Sequence, residues 1–107
     1  MRIALDYDDT FTRDPTLWRG FVHRAKASGH DIRIVTYRDD NGRNADLEHD
    51  IGKMIPVIYT GGERKRTHCN RLDFIVDVWI DDMPEIIVED YGYDNVPEHL
   101  LRMARNG

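Results

Sequence analysis

Cysteine and long hydrophobic runs are both scarce in this sequence. Cys69 is the only cysteine, so no internal disulfide can form, and the composition fits a reducing cytoplasm. No apolar run approaches the ~20 residues that a membrane-spanning helix needs. A signal peptide is not predicted either, because only three apolar residues follow Arg2 before the first acid. We therefore expect a cytoplasmic protein with no membrane partner.

Basic charge and paired histidines are also lacking. The net charge of −5 argues against a general nucleic-acid coat, which needs a basic face. A local basic stretch at 64–66, with Arg71, leaves a nucleic-acid substrate open. The five histidines have no metal-ligand spacing, so zinc is not predicted. The 107 residues contain no repeat or low-complexity linker and suit one domain, 1–107, that buries roughly two-thirds of its chain surface.

Short apolar runs alternate with helical patterns along the chain. Strands are predicted at 2–6, 31–36, 56–59 and 75–80. Helices are predicted at 15–29, 43–53 and 63–73, with a short helix or extended piece from Pro84 to Glu89, a turn at 91–94 and a last helix from Pro97. This alternation predicts an α/β fold, a single Rossmann-like domain whose small parallel sheet is flanked by helices.

The first helix has the clearest signals. Asp14 followed by Pro15 is typical of a helix N-terminus, and Gly29 is a plausible C-terminal stop. Trp18, Phe21 and Val22 recur at helical spacing, which indicates a face packed in the core rather than a cofactor site.

Three acids stand where the first predicted strand ends. Ile3 to Leu5 are apolar, and Asp6, Asp8 and Asp9 follow within four positions. In open α/β sheets, ligands bind beyond the carboxyl ends of the strands. Asp6 and Asp8 face the same way on a strand, and two close carboxylates share a proton or recruit a cation. The competing interpretation is a turn, because Asp is also a common turn residue.

The other predicted strands bring further polar groups to the same edge. These are Thr36 after the second strand, Lys65 soon after the glycine pair that closes the third, and Asp81 with Asp82 after the fourth. Two carboxylate clusters on neighbouring strands form an oxygen-only site, which suits Mg²⁺. A lysine beside them suits a phosphate that so much negative charge would otherwise repel.

These residues resemble the four motifs of the haloacid dehalogenase (HAD) superfamily, in that family's order and over about residues 2–82. The matching stretches are Asp6-Tyr7-Asp8-Asp9-Thr10, Ile32-Arg33-Ile34-Val35-Thr36, Lys65, and Val78-Trp79-Ile80-Asp81-Asp82. The first and fourth stretches are fairly specific together, whereas the second and third are weak alone.

The resemblance implies a Mg²⁺-dependent phosphatase that works through an aspartyl-phosphate. Asp6 would be the nucleophile, and Asp8 the general acid and then the base for the hydrolytic water. The Mg²⁺ ligands would be Asp6, the backbone carbonyl of Asp8, and Asp81 or Asp82, between which the residues do not decide. Thr36 would bind a phosphoryl oxygen and Lys65 would offset charge. Asp9, Thr10 and Arg38 would contact the substrate.

The family usually adds a cap domain, and no segment here is long enough for one. A capless member would have an open site for a phosphomonoester on a small molecule, a nucleotide, a polynucleotide end or a phosphoprotein, or a neighbour in an oligomer would cover the site. Two alternatives remain. A signalling receiver domain is disfavoured because the third strand ends without an acid. A catalytically silent HAD-fold scaffold would not need to bind Mg²⁺.

Overall fold

The computed structural model describes residues 1–88, which form a small α/β domain with a four-stranded parallel sheet. The strands are β1 (Arg2–Leu5), β2 (Asp31–Thr36), β3 (Val57–Tyr59) and β4 (Val78–Ile80). The helices are α1 (Pro15–Ala27), α2 (Ala45–Glu48) and α3 (Lys65–Arg71), with 3-10 turns at Phe11–Arg13, Ile51–Lys53 and Pro84–Ile86. The predicted α/β class is confirmed, and the arrangement is consistent with a Rossmann-like fold. The predicted turn at 91–94 and the helix from Pro97 lie outside the described residues.

The strand order is β3-β2-β1-β4, and each neighbouring pair is parallel. The first strand of the chain is therefore central and pairs directly with the last described strand. Leu5 pairs with Ile34 on one side and with Ile80 on the other. All four strands consequently end at one edge of the sheet, called here the carboxyl edge.

The helix α1 begins and ends where the sequence predicts. The Asp14 carboxylate accepts a hydrogen bond from the backbone N–H of Leu17 at 3.2 Å, which caps the helix, and Pro15 fills the first helical position. Gly29 has a φ of 83°, the left-handed conformation that ends many helices. Val22 is fully buried, and Trp18 and Phe21 pack against the same core, so the predicted core face is confirmed.

Each face of the sheet has its own apolar core. The core under α1 and α2 contains Ile3, Leu5, Val22, Ile32, Ile34, Leu47 and Ile51, among others. The α3-side core contains Ala4, Val35, Ile58, Cys69 and Phe74. Alternate residues of each strand thus go to opposite faces, as the period of a strand requires. Burial on both faces explains why the strands read as nearly continuous apolar runs.

Two predicted elements differ most from the structure. The helix predicted over 43–53 is broken into α2 and a separate 3-10 turn, and the chain then passes so close to the Leu47 carbonyl that a Cβ added at Gly52 would lie 3.0 Å from that oxygen. The strand predicted at 75–80 begins only at Val78. Ile75 is exposed, so its apolar side chain misled the prediction.

No helix among residues 1–88 has both the length and the apolar character needed to cross a membrane.

Candidate functional site

Three carboxylates converge at the carboxyl edge, where β1 and β4 lie side by side. The Asp6 N–H continues the ladder by donating to the Ile80 carbonyl at 2.9 Å, which brings Asp6 next to the acids that follow β4. One carboxylate oxygen from each of Asp6, Asp81 and Asp82 lies within 4.8 Å of the others. The predicted meeting of the first and last acid groups is therefore present in the structure.

A buried ammonium group bridges two of these acids. Lys65 opens α3 and its side chain is 0% exposed. Its Nζ donates to Asp6 Oδ1 at 2.8 Å and to Asp81 Oδ2 at 2.5 Å. A lysine is almost never fully buried unless it is paired, and here it is paired twice. The lysine that the sequence singled out thus reaches the predicted edge.

The Thr10 hydroxyl lies between the carboxylates of Asp6 and Asp82. Thr10 Oγ1 lies 3.0 Å from Asp6 Oδ2 and 3.1 Å from Asp82 Oδ1, and it accepts a hydrogen bond from the Asp82 N–H at 3.1 Å. A hydroxyl has one proton, so it can donate to only one of the two carboxylates at a time. Thr10, predicted to contact substrate, is placed by the structure between two carboxylates.

The pKa values of Asp6 and Asp82 are shifted in opposite directions. The pKa of Asp6 is raised to about 6: burial is the largest cause, Lys65 opposes the rise, and Asp81 and Asp82 add smaller contributions to it. Burial also acts to raise the pKa of Asp82, but hydrogen bonds from Asp6 and Thr10 outweigh it, so that pKa lies below its usual range. A proton is therefore held more readily by Asp6 than by Asp82.

The donor set fits a hard divalent cation. Three carboxylates face one ammonium, so two negative charges are left without a counter-charge among these side chains. All the available ligand atoms are oxygens, which Mg²⁺ prefers over the nitrogen and sulfur ligands of zinc sites. A divalent ion held by Asp6, Asp81 and Asp82 would also offset the repulsion that raises the pKa of Asp6.

The Asp8 carboxylate is engaged elsewhere. Arg38 donates to both of its oxygens, from Nε at 2.8 Å and from Nη2 at 2.7 Å. The same guanidinium donates to both oxygens of Asp46 at 2.9 and 3.0 Å and lies 5.1 Å from the centre of the Tyr7 ring. These hydrogen bonds with Asp8 and Asp46 raise the pKa of Arg38. Arg38, predicted to contact substrate, thus links the β1 and β2 loops to α2.

Asp9 and Thr36 have local structural partners. Asp9 has a φ of 62°, and its N–H donates to Thr12 Oγ1 at 2.9 Å, so Asp9 shapes the turn after β1. Thr36 is 1% exposed, and its Oγ1 accepts from the Arg38 N–H at 3.3 Å. The structure places both residues at the carboxyl edge, but not among the three converging acids.

Two residues near the site were not singled out from the sequence. Asp46 had no signal, because an acid in a weak helical pattern is expected to be solvated. Thr60 did have one, since it follows β3 just as Thr36 ends β2, and a hydroxyl at a strand end was the reason for choosing Thr36. Thr60 is 5% exposed, and its N–H donates to the Thr36 carbonyl at 2.9 Å.

The fold and the site together define a small α/β protein with a carboxylate–lysine cluster at the carboxyl edge of a parallel sheet. No protein-family model, curated protein or solved structure gives a significant match to this chain. What the site does therefore has to be argued from its own residues.

Proposed function

We propose that this protein is a Mg²⁺-dependent phosphatase of the haloacid dehalogenase type that hydrolyses a phosphomonoester through an aspartyl-phosphate. The observation that carries the proposal is the convergence of Asp6, Asp81 and Asp82 around the buried ammonium of Lys65. A structural ion pair needs one carboxylate for each cation. This cluster has a surplus of negative charge, which is what a site for a divalent ion requires.

The chain supplies a nucleophile, an acid and a cation for phosphoryl transfer. Asp6 attacks phosphorus, forming an O–P bond as the bond to the leaving oxygen breaks. Asp8, once its carboxyl is released from the Arg38 guanidinium that binds it in the structure, gives that oxygen a proton. Asp8 then takes a proton from a water that attacks the phosphorus, which releases phosphate and regenerates Asp6. Lys65 offsets the charge on the transferred group, and Thr36 donates to one of its oxygens.

Mg²⁺ would be held by the carboxylates of Asp6, Asp81 and Asp82 and by the backbone carbonyl of Asp8, and it would neutralise charge on the nucleophile and the phosphate. Of the two acids after β4, Asp81 has both oxygens engaged, one by Lys65 and one by the Met83 N–H at 2.9 Å. Asp82 is the more available ligand, because its carboxylate is hydrogen-bonded to Thr10 and Asp6 and is not paired with the Lys65 ammonium.

We propose that the site is open and has no cap, which would suit a large or varied phosphomonoester substrate. Between β1 and β2 the chain contains only a 3-10 turn and α1, and between β3 and β4 only α3. Neither connection has room for a cap domain over the carboxyl edge. A nucleotide or a phosphorylated polynucleotide end is therefore among the substrates to test first, beside phosphoproteins and sugar phosphates.

The first test is a Mg²⁺ titration followed by thermal unfolding. Wild-type protein is expected to gain about 2.7 kcal/mol of stability at a Mg²⁺ concentration 100 times the Kd. Asp82→Asn should lose most of that gain. Asp77→Asn is the matched control, because Asp77 lies at the opposite edge of the sheet, where it accepts from the Arg2 N–H. A wild-type protein that does not respond to Mg²⁺ would favour the scaffold alternative.

The second test is hydrolysis of p-nitrophenyl phosphate and a panel of phosphomonoesters, with Mg²⁺ and with a chelator. Turnover should need Mg²⁺ and should be abolished in Asp6→Asn, which keeps the shape of the side chain but removes the nucleophilic carboxylate. Asp77→Asn is again the control, since Asp77 lies at the opposite edge of the sheet. Unchanged turnover in Asp6→Asn would remove Asp6 as the nucleophile.

A further inference from the structure

The Thr60 side chain is buried without a visible structural purpose. Thr60 is 5% exposed, and its Oγ1 has no hydrogen-bond partner among residues 1–88. Burying a hydroxyl without a partner costs folding free energy, so a valine would fit this position better on stability grounds alone. An unpaired buried hydroxyl is a reason to look for a ligand that it meets.

The periodicity of the elements places this hydroxyl on the same face of the sheet as the Asp6–Lys65 pair, with β2 lying between β3 and β1. The α3-side core includes three residues in one contacting cluster: Ala4, Ile58 and Cys69. Two positions further along β1 and β3 are Asp6 and Thr60, and one turn earlier in α3 is Lys65. Residues two apart on a strand, or four apart on a helix, share a face. Thr60 is thus in the layer of the Asp6–Lys65 ion pair, directly above that core.

The backbone around Thr60 is fixed on both sides. Its N–H donates to the Thr36 carbonyl at 2.9 Å, and its own carbonyl accepts from the Glu63 N–H at 3.2 Å. The next two residues, Gly61 and Gly62, have φ values of 61° and 87°, and their N–H groups donate to carbonyls of the loop after β2. A hydroxyl on such a fixed backbone is positioned before any ligand arrives, which is how an anion-binding donor works best.

Thr36 and Thr60 present their hydroxyls to different faces. Thr36 shares the face of Ile34, which belongs to the core under α1 and α2, and its Oγ1 already accepts from the Arg38 N–H. Thr60 shares the face of Ile58, on the side of Lys65. A phosphoryl group that is bound to Asp6 on the α3 side of the edge and extends across the end of β2 would therefore meet Thr60.

We infer that the Thr60 hydroxyl is a second phosphoryl-binding group of this site and donates a hydrogen bond to a non-bridging oxygen of the group that Asp6 attacks. A neutral donor suits this position, because Lys65 already supplies the cation and the nearby carboxylates leave no room for another acid. This inference rests on the proposed phosphatase function, and it adds a residue that the motif resemblance does not include.

The test compares Thr60→Val, which keeps the shape but removes the hydroxyl, with Thr60→Ser, which keeps the hydroxyl. Each variant is assayed with p-nitrophenyl phosphate and Mg²⁺, with inorganic phosphate as inhibitor, and its thermal unfolding is measured. Thr60→Val should lose about tenfold in kcat/KM and in phosphate affinity, the equivalent of roughly one charge-assisted hydrogen bond. Its Tm should be unchanged or higher. Thr60→Ser should stay near wild type.

Ser28→Ala is the matched control, since it deletes a hydroxyl at the far end of α1 and should change neither activity nor phosphate affinity. The inference is overturned if wild-type protein is active and Thr60→Val has the same kcat/KM and phosphate affinity. It is also overturned if the loss in Thr60→Val comes with a matching fall in Tm, since the hydroxyl would then be structural. Wild-type protein that neither hydrolyses the ester nor binds phosphate would overturn the proposed function, and this inference with it.

Discussion

Lys65 and Asp81 form an ion pair at 2.5 Å, with side chains only 0% and 2% exposed. The pair joins the start of α3 to the end of β4, and Asp6 completes it from β1 at 2.8 Å. Three elements that are distant in sequence thus meet at one cation. Because both side chains are almost inaccessible to solvent, removal of the Lys65 ammonium would leave buried carboxylates without a counter-charge and without access to water.

Replacement of Lys65 by Met should therefore destabilise the protein strongly. We expect a loss of about 3–5 kcal/mol in the free energy of unfolding, the cost of breaking a buried pair from one side. Lys53→Met is the matched control, because Lys53 is exposed in the 3-10 turn before β3 and should change stability little. Urea unfolding of both variants checks this. Equal stabilities would show that Lys65 is not the cation that balances the acids.

Without Mg²⁺, the stability of the protein should depend on pH through Asp6. Its pKa is raised from the ordinary 3.8 to about 6 in the folded state, so the folded state holds the proton more tightly than the unfolded chain. The Asp6 contribution is therefore present below pH 4 and is lost as the pH rises to about 6, by roughly 3 kcal/mol. Asp6→Asn has no such titration.

The measurement is the difference in unfolding free energy between wild type and Asp6→Asn, in chelator, at pH 4 and at pH 7.5. Taking the difference removes the titration of acids that do not contact Asp6, such as Glu63, whose pKa is lowered to about 2 by hydrogen bonds from Arg71 and His68. The free energy of unfolding of Asp6→Asn should increase relative to that of wild type as the pH rises. A difference that stays constant with pH would contradict the raised pKa of Asp6.

Loss of the Asp8 carboxyl should affect substrates according to their leaving groups. A general acid matters most when the leaving oxygen is strongly basic, so Asp8→Asn should slow hydrolysis of an alkyl phosphate by about 10²–10⁴-fold. Hydrolysis of p-nitrophenyl phosphate should fall much less, since its leaving group departs without a proton. Steady-state kinetics with both esters checks this, and an equal loss on both would assign Asp8 a structural role with Arg38.

The sequence was sufficient to predict where the acids meet. Asp6 and Asp81 each follow an apolar strand, and parallel strands end at one edge, so their meeting needs only that the strands be neighbours. Lys65 was harder to predict, because it stands between Arg64 and Arg66 in what reads as a solvated basic run. Its burial requires that the first turn of α3 face the sheet. Cys69, which is buried, lies one helical turn after Lys65 and therefore on the same face of α3, so its apolar character could have indicated this orientation.

Other features depend on contacts that a linear pattern does not contain. Arg38 was expected to face substrate, yet it is held between Asp8 and Asp46, and Asp46 lies on a helix whose length was overestimated. That overestimate came from reading 43–53 as one helix, although the helix ends at Glu48 and a separate 3-10 turn follows. The unpaired state of the Thr60 hydroxyl can be seen only once every neighbouring donor and acceptor has been placed.

The pairing of β1 with β4 also fixes when the site can form during synthesis. Thr10 and Asp82 share a hydrogen bond although they are 72 positions apart, so at 5–20 residues per second a ribosome adds the second acid group roughly 4–14 seconds after the first. Until then Asp6 lacks its fellow acids, although Lys65 has already been added. Translation that stops short of β4 would therefore release a fragment that lacks this centre.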